Sequence, residues 1–536
     1  MTVKPEWRFS RNPSISISNI NSLKNCCEAT TIPPIMKALG LTPTEKHLTK
    51  LADDTFLDLW SWPNVFKKAG KELCDLLVVC GDDVLMFSDK HIAWPDAPFE
   101  LAWTRWYSRA IGESAEQIRK ADLWLKKNPQ AVFADGKCQQ PIPLKLPPIG
   151  QRRVHGICVA SGGEEAASSY FDDPDGTFMI LPHLRGKDHV DFTLPGHQPF
   201  CIGDVDPDGP FVHVFNMATL DVVMSEFDTI TDFTKYLNAR ADLIRSGRLS
   251  LSPSEAELVA NYLLMMEPNG EHRFPTISDV KDAHADADTA IAFVQGEYAY
   301  LVRSPEYQRR RTANRISYEW DRLIGLFTHG VLNDTQFRIL DTDPTVELAE
   351  RALRIMARED RVQRRVLAEA IIGAREALEA QKMGRLARFA VTRDRSTGEK
   401  VAYVFLVLAG ADAMEQADYR RVRATMLQTY CLAVLHDDRD LKLCVGIAVM
   451  AISDTGDSED LVAYPQQEWT PELIEDLRLD RENFEVLQKP LELKTTTVRA
   501  SSFPPDPAFE GMSRQQRRAL ERQRAKQQRS RRDGRR

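Results

Sequence analysis

Residues 71–92 read KELCDLLVVCGDDVLMFSDKHI. Two apolar runs, Leu73–Cys80 and Val84–Ile92, flank a Gly81-Asp82-Asp83 turn. That is the pattern of two buried strands joined as a hairpin. An acid, Asp75, enters the first strand, and an Asp89-Lys90 pair leaves the second.

Outward from the hairpin, Thr42–Trp60 predicts a helix. Thr42 suits the N-cap, Pro43 the first turn, and Glu45 completes a capping-box spacing. Leu48, Leu51, Phe56 and Leu59 recur near helical spacing, and Pro63 closes the segment. Beyond the hairpin, Phe99–Lys127 predicts a long helix whose apolar face runs through Trp103, Trp106, Ala110, Ile118, Ala121 and Leu125. Gln117 falls on that inward face and needs a polar partner, because burying an unpaired amide costs about 1–3 kcal/mol. Val154–Ser161 predicts another buried strand. The order helix, strand, strand, helix, strand implies a mixed α/β unit.

Carboxylates on adjoining strands with a lysine beside them suit a divalent cation held against a phosphodiester. Magnesium takes hard oxygen ligands, usually one or two carboxylates, and an ammonium adds charge where the transition state needs it. A helix carrying Glu45, a strand carrying Asp75, a strand ending in Lys90 and a helix carrying Gln117 resemble the core of the PD-(D/E)XK nuclease superfamily. The strings WSWPN (60–64), KELCDLLVV (71–79), MFSDK (86–90) and WTRWYSRAIGESAEQ (103–117) also resemble a bacterial family associated with that fold. The resemblance covers roughly residues 40–160. It implies Asp75 as metal-binding aspartate, Lys90 as catalytic lysine, Glu45 as the helix acid that joins the metal ligands in some branches, and Gln117 as the catalytic helix glutamine of others. It implies a magnesium or manganese cofactor and a nucleic-acid partner.

One position departs from that pattern. The acid expected two residues before the lysine is Ser88. Asp89 is adjacent to Lys90, and neighbouring strand residues point to opposite faces. Three arrangements remain: a bulge that re-aims Asp89, Glu72 as the missing carboxylate, or a degenerate site that binds nucleic acid without cutting it. In the last case the chain is a scaffold or nucleic-acid-binding component of a multi-protein system. Arg105 and Arg109, interleaved with Trp103, Trp106 and Tyr107, are candidate phosphate or base contacts.

The whole chain, 536 residues, is too long for one core. We expect a multidomain α/β protein: a weakly ordered lead-in (1–40), the nuclease-like domain (41–165), a β-rich segment (166–250), a helical region (251–387), a second α/β segment (388–500), and a Pro/Ser linker with a basic tail (501–536). Within the helical region, Val346–Gln381 reads as one helix, and Gln308-Arg309-Arg310-Arg311 as a small surface basic cluster.

Apolar residues make up 43% and charged residues 28%, ordinary for a globular protein. No run reaches the roughly 18–20 apolar residues of a membrane span, and no secretory h-region opens the chain. Nine scattered cysteines without a zinc-like spacing imply a reducing, cytoplasmic setting. The net charge is −8, but Ser513–Arg536 holds ten Arg and one Lys against Glu521 and Asp533, a local +9, which leaves −17 elsewhere. Arg517, Arg518 and Arg522 in this tail are therefore candidate polyanion contacts, sequence-independent and salt-sensitive. A protein partner or a second copy of the chain is the remaining expectation.

Overall fold

The computed structural model describes residues 37, 40, 42–174, 176–279, 290–332, 346–394, 397–455, 458–487 and 500–506. Most of the lead-in and the whole basic tail, with Arg517, Arg518 and Arg522, lie outside the described residues.

Helix α1 (Pro43–Phe56) opens on Thr42, whose side chain accepts from the Glu45 N–H while Glu45 reaches back to Thr42, the capping box the sequence spells. It stops at Phe56 because Leu57 turns to a φ of +66°. The WSWPN stretch is therefore not a helix end but part of strand β1 (Ser61–Lys68). β1 pairs with β2 (Lys71–Cys80), and β2 with β3 (Asp83–His91), all antiparallel. Pro63 is tolerated because β1 is an edge strand. The expected long helix is split: α2 (Phe99–Tyr107) passes through a π-helical turn, Ser108–Gly112, into α3 (Glu113–Lys127). Strand β4 (Arg153–Ser161) then lies parallel to β3.

Residues 166–250 are less β-rich than the sequence suggests. After α4 (Glu164–Phe171) come short strands β5 (Met179–Arg185), β6 (Cys201–Asp204) and β7 (Val212–Phe215), then two helices, α5 (Met217–Glu226) and α6 (Ile230–Arg245). β7 completes the first sheet, giving the order β1-β2-β3-β4-β7. The Phe56–Phe87 ring contact, 6.2 Å between centroids, seats α1 on one face of this sheet. The Ser88–Ser114 hydrogen bond (3.1 Å) seats α3 on the other.

A two-stranded pair, β8 (Leu249–Leu251) with β9 (Ile291–Ala292), brackets α7 (Glu255–Leu264). The helical region continues through α8 (Glu297–Arg303), α9 (Pro305–Asn314), α10 (Tyr318–Leu332), α11 (Val346–Ala357) and α12 (Arg361–Gln381). The single helix expected over 346–381 breaks at Arg358-Glu359-Asp360, where Asp360 caps α12 in a capping box with Gln363. The basic run 308–311 lies in α9, and Arg310 is buried on the Glu226 carboxylate rather than exposed.

A second sheet, β10 (Arg385–Arg393), β11 (Lys400–Leu408), β12 (Leu443–Met450) and β13 (Glu459–Pro465), pairs in that order, with β11 and β12 parallel. Alternation along β11 divides its residues. Tyr403 and Phe405 meet Trp320 of α10, while Val404 and Leu406 join the core under α13 (Gln416–Asp437) and α14 (Pro471–Asn483). One apolar core runs from α1 through the helical region to the inner face of the second sheet. The fold is mixed α/β. Among the described residues no helix is long and apolar enough to cross a membrane.

Candidate active site

The hairpin closes on Gly81-Asp82, with Gly81 at φ +62°. A side chain at Gly81 would strike Arg358 from the helical region. Next to the turn, the Asp83 carboxylate takes both ends of the Arg153 guanidinium at 2.9 and 2.8 Å and His155 Nε2 at 3.1 Å, with Arg358 at 3.6 Å. Burial opposes ionisation there, but the hydrogen bonds from His155 and Arg153 win and hold Asp83 well below the usual carboxylate range. This end of the hairpin is fastened.

The other end is open. The β2–β3 ladder runs from Cys80↔Asp83 to Leu76↔Phe87 and stops. β2 stays with β1 as far as Lys68↔Lys71, and β3 stays with β4 as far as His91↔Ser161. Past Leu76 and Phe87 the two strands therefore part. The Asp75 carboxylate spans the gap: Asp89 N–H donates to Oδ2 at 2.6 Å. No described residue donates to Asp75 Oδ1.

Leu77 pairs with Met86 and Leu76 with Phe87, so alternation places Asp75, Ser88 and Lys90 on the α3 face. Asp89 falls on the α1 face, with Glu45. The bulge that sequence reasoning allowed lies in β2, not β3. Val65 pairs with Cys74, but Phe66 pairs with Glu72, leaving Leu73 as an extra residue. That slip turns Glu72 onto the same face as Asp75. Glu72, Asp75 and Lys90 are thus brought to one side of the open strand end. β3 carries no bulge, so strand alternation puts Asp89 on the face opposite Lys90, although the Lys90 charge still acts on its carboxyl.

The electrostatics tie the whole cluster together, because the charges of Glu45 and Lys90 both act on Glu72, Asp75 and Asp89. Desolvation raises the Asp75 carboxyl to about 6, although Lys90 and the Asp89 N–H favour its charge. Loss of hydration, then the charges of Asp75 and Glu45, raise Glu72 to about 7 against Lys90 and Lys67. Glu72 is exposed, so water screens part of that shift. Burial raises Asp89 against a hydrogen bond from Thr44, and its Oδ1 is buried without a partner. In all three carboxyls burial is the largest cause, and neighbouring acids add to it.

Gln117 is inward as expected, and its Oε1 accepts from Ser88 Oγ at 3.1 Å. Ser88, fully buried, thus occupies the place of the expected acid and ties β3 to α3 through Gln117 and Ser114. Arg105 and Arg109 are exposed on α2 and the π turn, whereas Trp103 and Trp106 are core residues with no free ring face. Sequence reasoning missed Ser114 and Thr44 as partners. Both are hydroxyls within one or two turns of a residue already singled out, which was the available signal.

Among the described residues no group of three or more His, Cys, Asp or Glu side chains is gathered as a metal cage. Set against known proteins, the chain matches no family model, no curated protein and no solved structure. The arrangement can nevertheless hold a hard cation on two carboxylates and its own waters, since magnesium commonly takes no more than that from a protein. The free oxygen of Asp75 and the raised carboxyls of Asp75 and Glu72 fit such an ion.

Proposed function

We propose that this chain is a metal-dependent nuclease that hydrolyses phosphodiester bonds at the open end of the β2–β3 hairpin. One observation carries the reading: the strands part where Asp75, Glu72 and Lys90 share a face. The order of elements supports it too. A helix, antiparallel strands, a helix and a parallel strand occur in the sequence order that the nuclease resemblance implies.

Asp75 and Glu72 would hold magnesium or manganese. When bound, that ion supplies Lewis acidity and a lowered pKa for water. The chain's own groups do the rest. Lys90 offers an ammonium to the non-bridging phosphate oxygens, where negative charge grows during attack. Glu72, raised to about 7, must give up its proton before it can ligate the ion. Asp75 is oriented by the Asp89 N–H, so its remaining oxygen is aimed without a search over rotamers. Purified protein with magnesium or manganese should cut DNA or RNA, and Lys90→Ala should reduce the rate by about 100-fold or more. Unchanged cleavage in that variant removes the proposal.

Ser88 favours a second reading, a nuclease-like scaffold that binds nucleic acid without turnover. Its hydroxyl is fully committed to Ser114 and Gln117. Ser88→Asp separates the two. Activity that appears only in this variant marks the native site as degenerate, and activity already present in the native chain excludes it.

A further inference from the structure

Lys90 pairs in register with Ala160, both strands end one residue later at His91 and Ser161, and Gly162 then packs against the Ile92 carbonyl. Trp106 Nε1 donates to that Ile92 carbonyl at 2.8 Å. From Trp106 a chain of rings leads outward. Phe200 is its hub, 6.5 Å from Trp106, 6.1 Å from Phe99 and 5.9 Å from Tyr170, centroid to centroid. Phe99 and Tyr170 end the chain at the surface, 39% and 41% exposed, and stack 5.2 Å apart with planes 8° from parallel.

Two features set this pair apart from ordinary exposed apolar residues, which occur singly. The hub Phe200 is fully buried at φ +60°, a conformation that a bulky residue adopts only when its surroundings impose it. That strained backbone buttresses the surface pair from behind. The pair also stands at the same end of the sheet as Lys90, with Phe99 opening the helix that carries Arg105 and Tyr170 on α4, just past the end of β4.

We infer that Phe99 and Tyr170 form a stacking platform for an unpaired nucleobase flanking the phosphodiester at Lys90, which makes single-stranded or splayed nucleic acid the substrate class; this rests on the nuclease reading above. An unpaired base offers its π face, whereas a duplex keeps its faces inside the stack. Arg105, on the same helix as Phe99, and Arg109, in the π turn that follows it, are both exposed and would meet the backbone of the same strand.

The test uses the full chain carrying Lys90→Ala, so that bound strands survive. A single-stranded oligonucleotide containing 2-aminopurine reports stacking as quenched fluorescence. Quenching is expected, with binding weakened about tenfold by Phe99→Leu plus Tyr170→Leu, the scale of one base–aromatic contact. Leucine keeps apolar bulk at both positions, and a far-ultraviolet spectrum identical to that of the parent shows that the fold survives. A fully paired duplex should bind the parent and the double variant equally. Equal weakening of duplex and single strand, or no weakening of either, overturns the inference. If Lys90-dependent cleavage persists with an unquenched probe, the platform fails and the nuclease reading stands. A quenched probe on a native chain that cuts nothing upholds the platform and removes the nuclease reading.

Discussion

Replacing Asp75 by Asn should make the protein more stable at neutral pH, not less. Asp75 is nearly buried, and its carboxyl is raised from the ordinary 3.8 to about 6. The native state therefore holds that proton more tightly than the unfolded chain does. Below the ordinary value both states are protonated and Asp75 exacts no penalty. As pH rises through about 6 the native state must ionise a group that burial opposes, and stability falls. A shift of about two pKa units corresponds to about 3 kcal/mol. Asparagine keeps the oxygen that accepts from Asp89 N–H, so the strand contact survives. Urea unfolding followed by tryptophan fluorescence should show the variant ahead by up to about 3 kcal/mol near pH 8 and level with the native chain near pH 4. Saturating magnesium should stabilise only the native chain. A variant that loses stability equally at both pH values would refute the reasoning, because Asp75 would then be a charge its neighbours welcome.

Cleavage at limiting magnesium should rise between pH 6 and 7 as Asp75 and Glu72 lose protons, and Glu72→Gln should remove the upper limb of that profile; an identical limb in the variant counts against Glu72 as a ligand. Asp83→Asn should destabilise the fold by about 3–5 kcal/mol at neutral pH, since it strands buried His155 and Arg358 without their anion. Because the Asp83 carboxyl is held well below its usual range, this contribution should be full above the ordinary aspartate value and be lost in denaturation experiments as pH falls from there through the lower folded-state value. Removing residues 507–536 should flatten the salt dependence of nucleic-acid binding, by about 0.9 in log–log slope for each phosphate that the tail neutralises; an unchanged slope would acquit the tail.

The hairpin was legible because continuous apolar runs bounded by a Gly-Asp turn have few other readings. β1 was not, because Pro63 argues against a strand unless the strand is known to lie at an edge. The break before α12 was written in the chain as Asp360 followed by Gln363, but the uninterrupted helical periodicity on both sides concealed it. Gln117 was correctly placed inward, and its need for a partner pointed to Ser88 without naming it. Glu72 could be offered only as one of three alternatives. Its direction depends on the single unpaired residue Leu73, and a bulge leaves no mark on composition or period. The π turn at Ser108–Gly112 is equally silent, being a slip in hydrogen bonding rather than a change of residue type.

The fastening of Gly81 and Asp83 by Arg358 has a consequence for how the protein is made. The hairpin leaves the ribosome about 270 residues before its guanidinium clasp, which at about 5–20 residues per second is roughly 15–50 s of elongation. During that interval Asp83 has only Arg153 and His155, and the surface around Gly81 that Arg354 and Arg358 will cover is bare. A nascent chain of this protein should therefore need a chaperone, or a pause in translation, more in the middle of its synthesis than at either end.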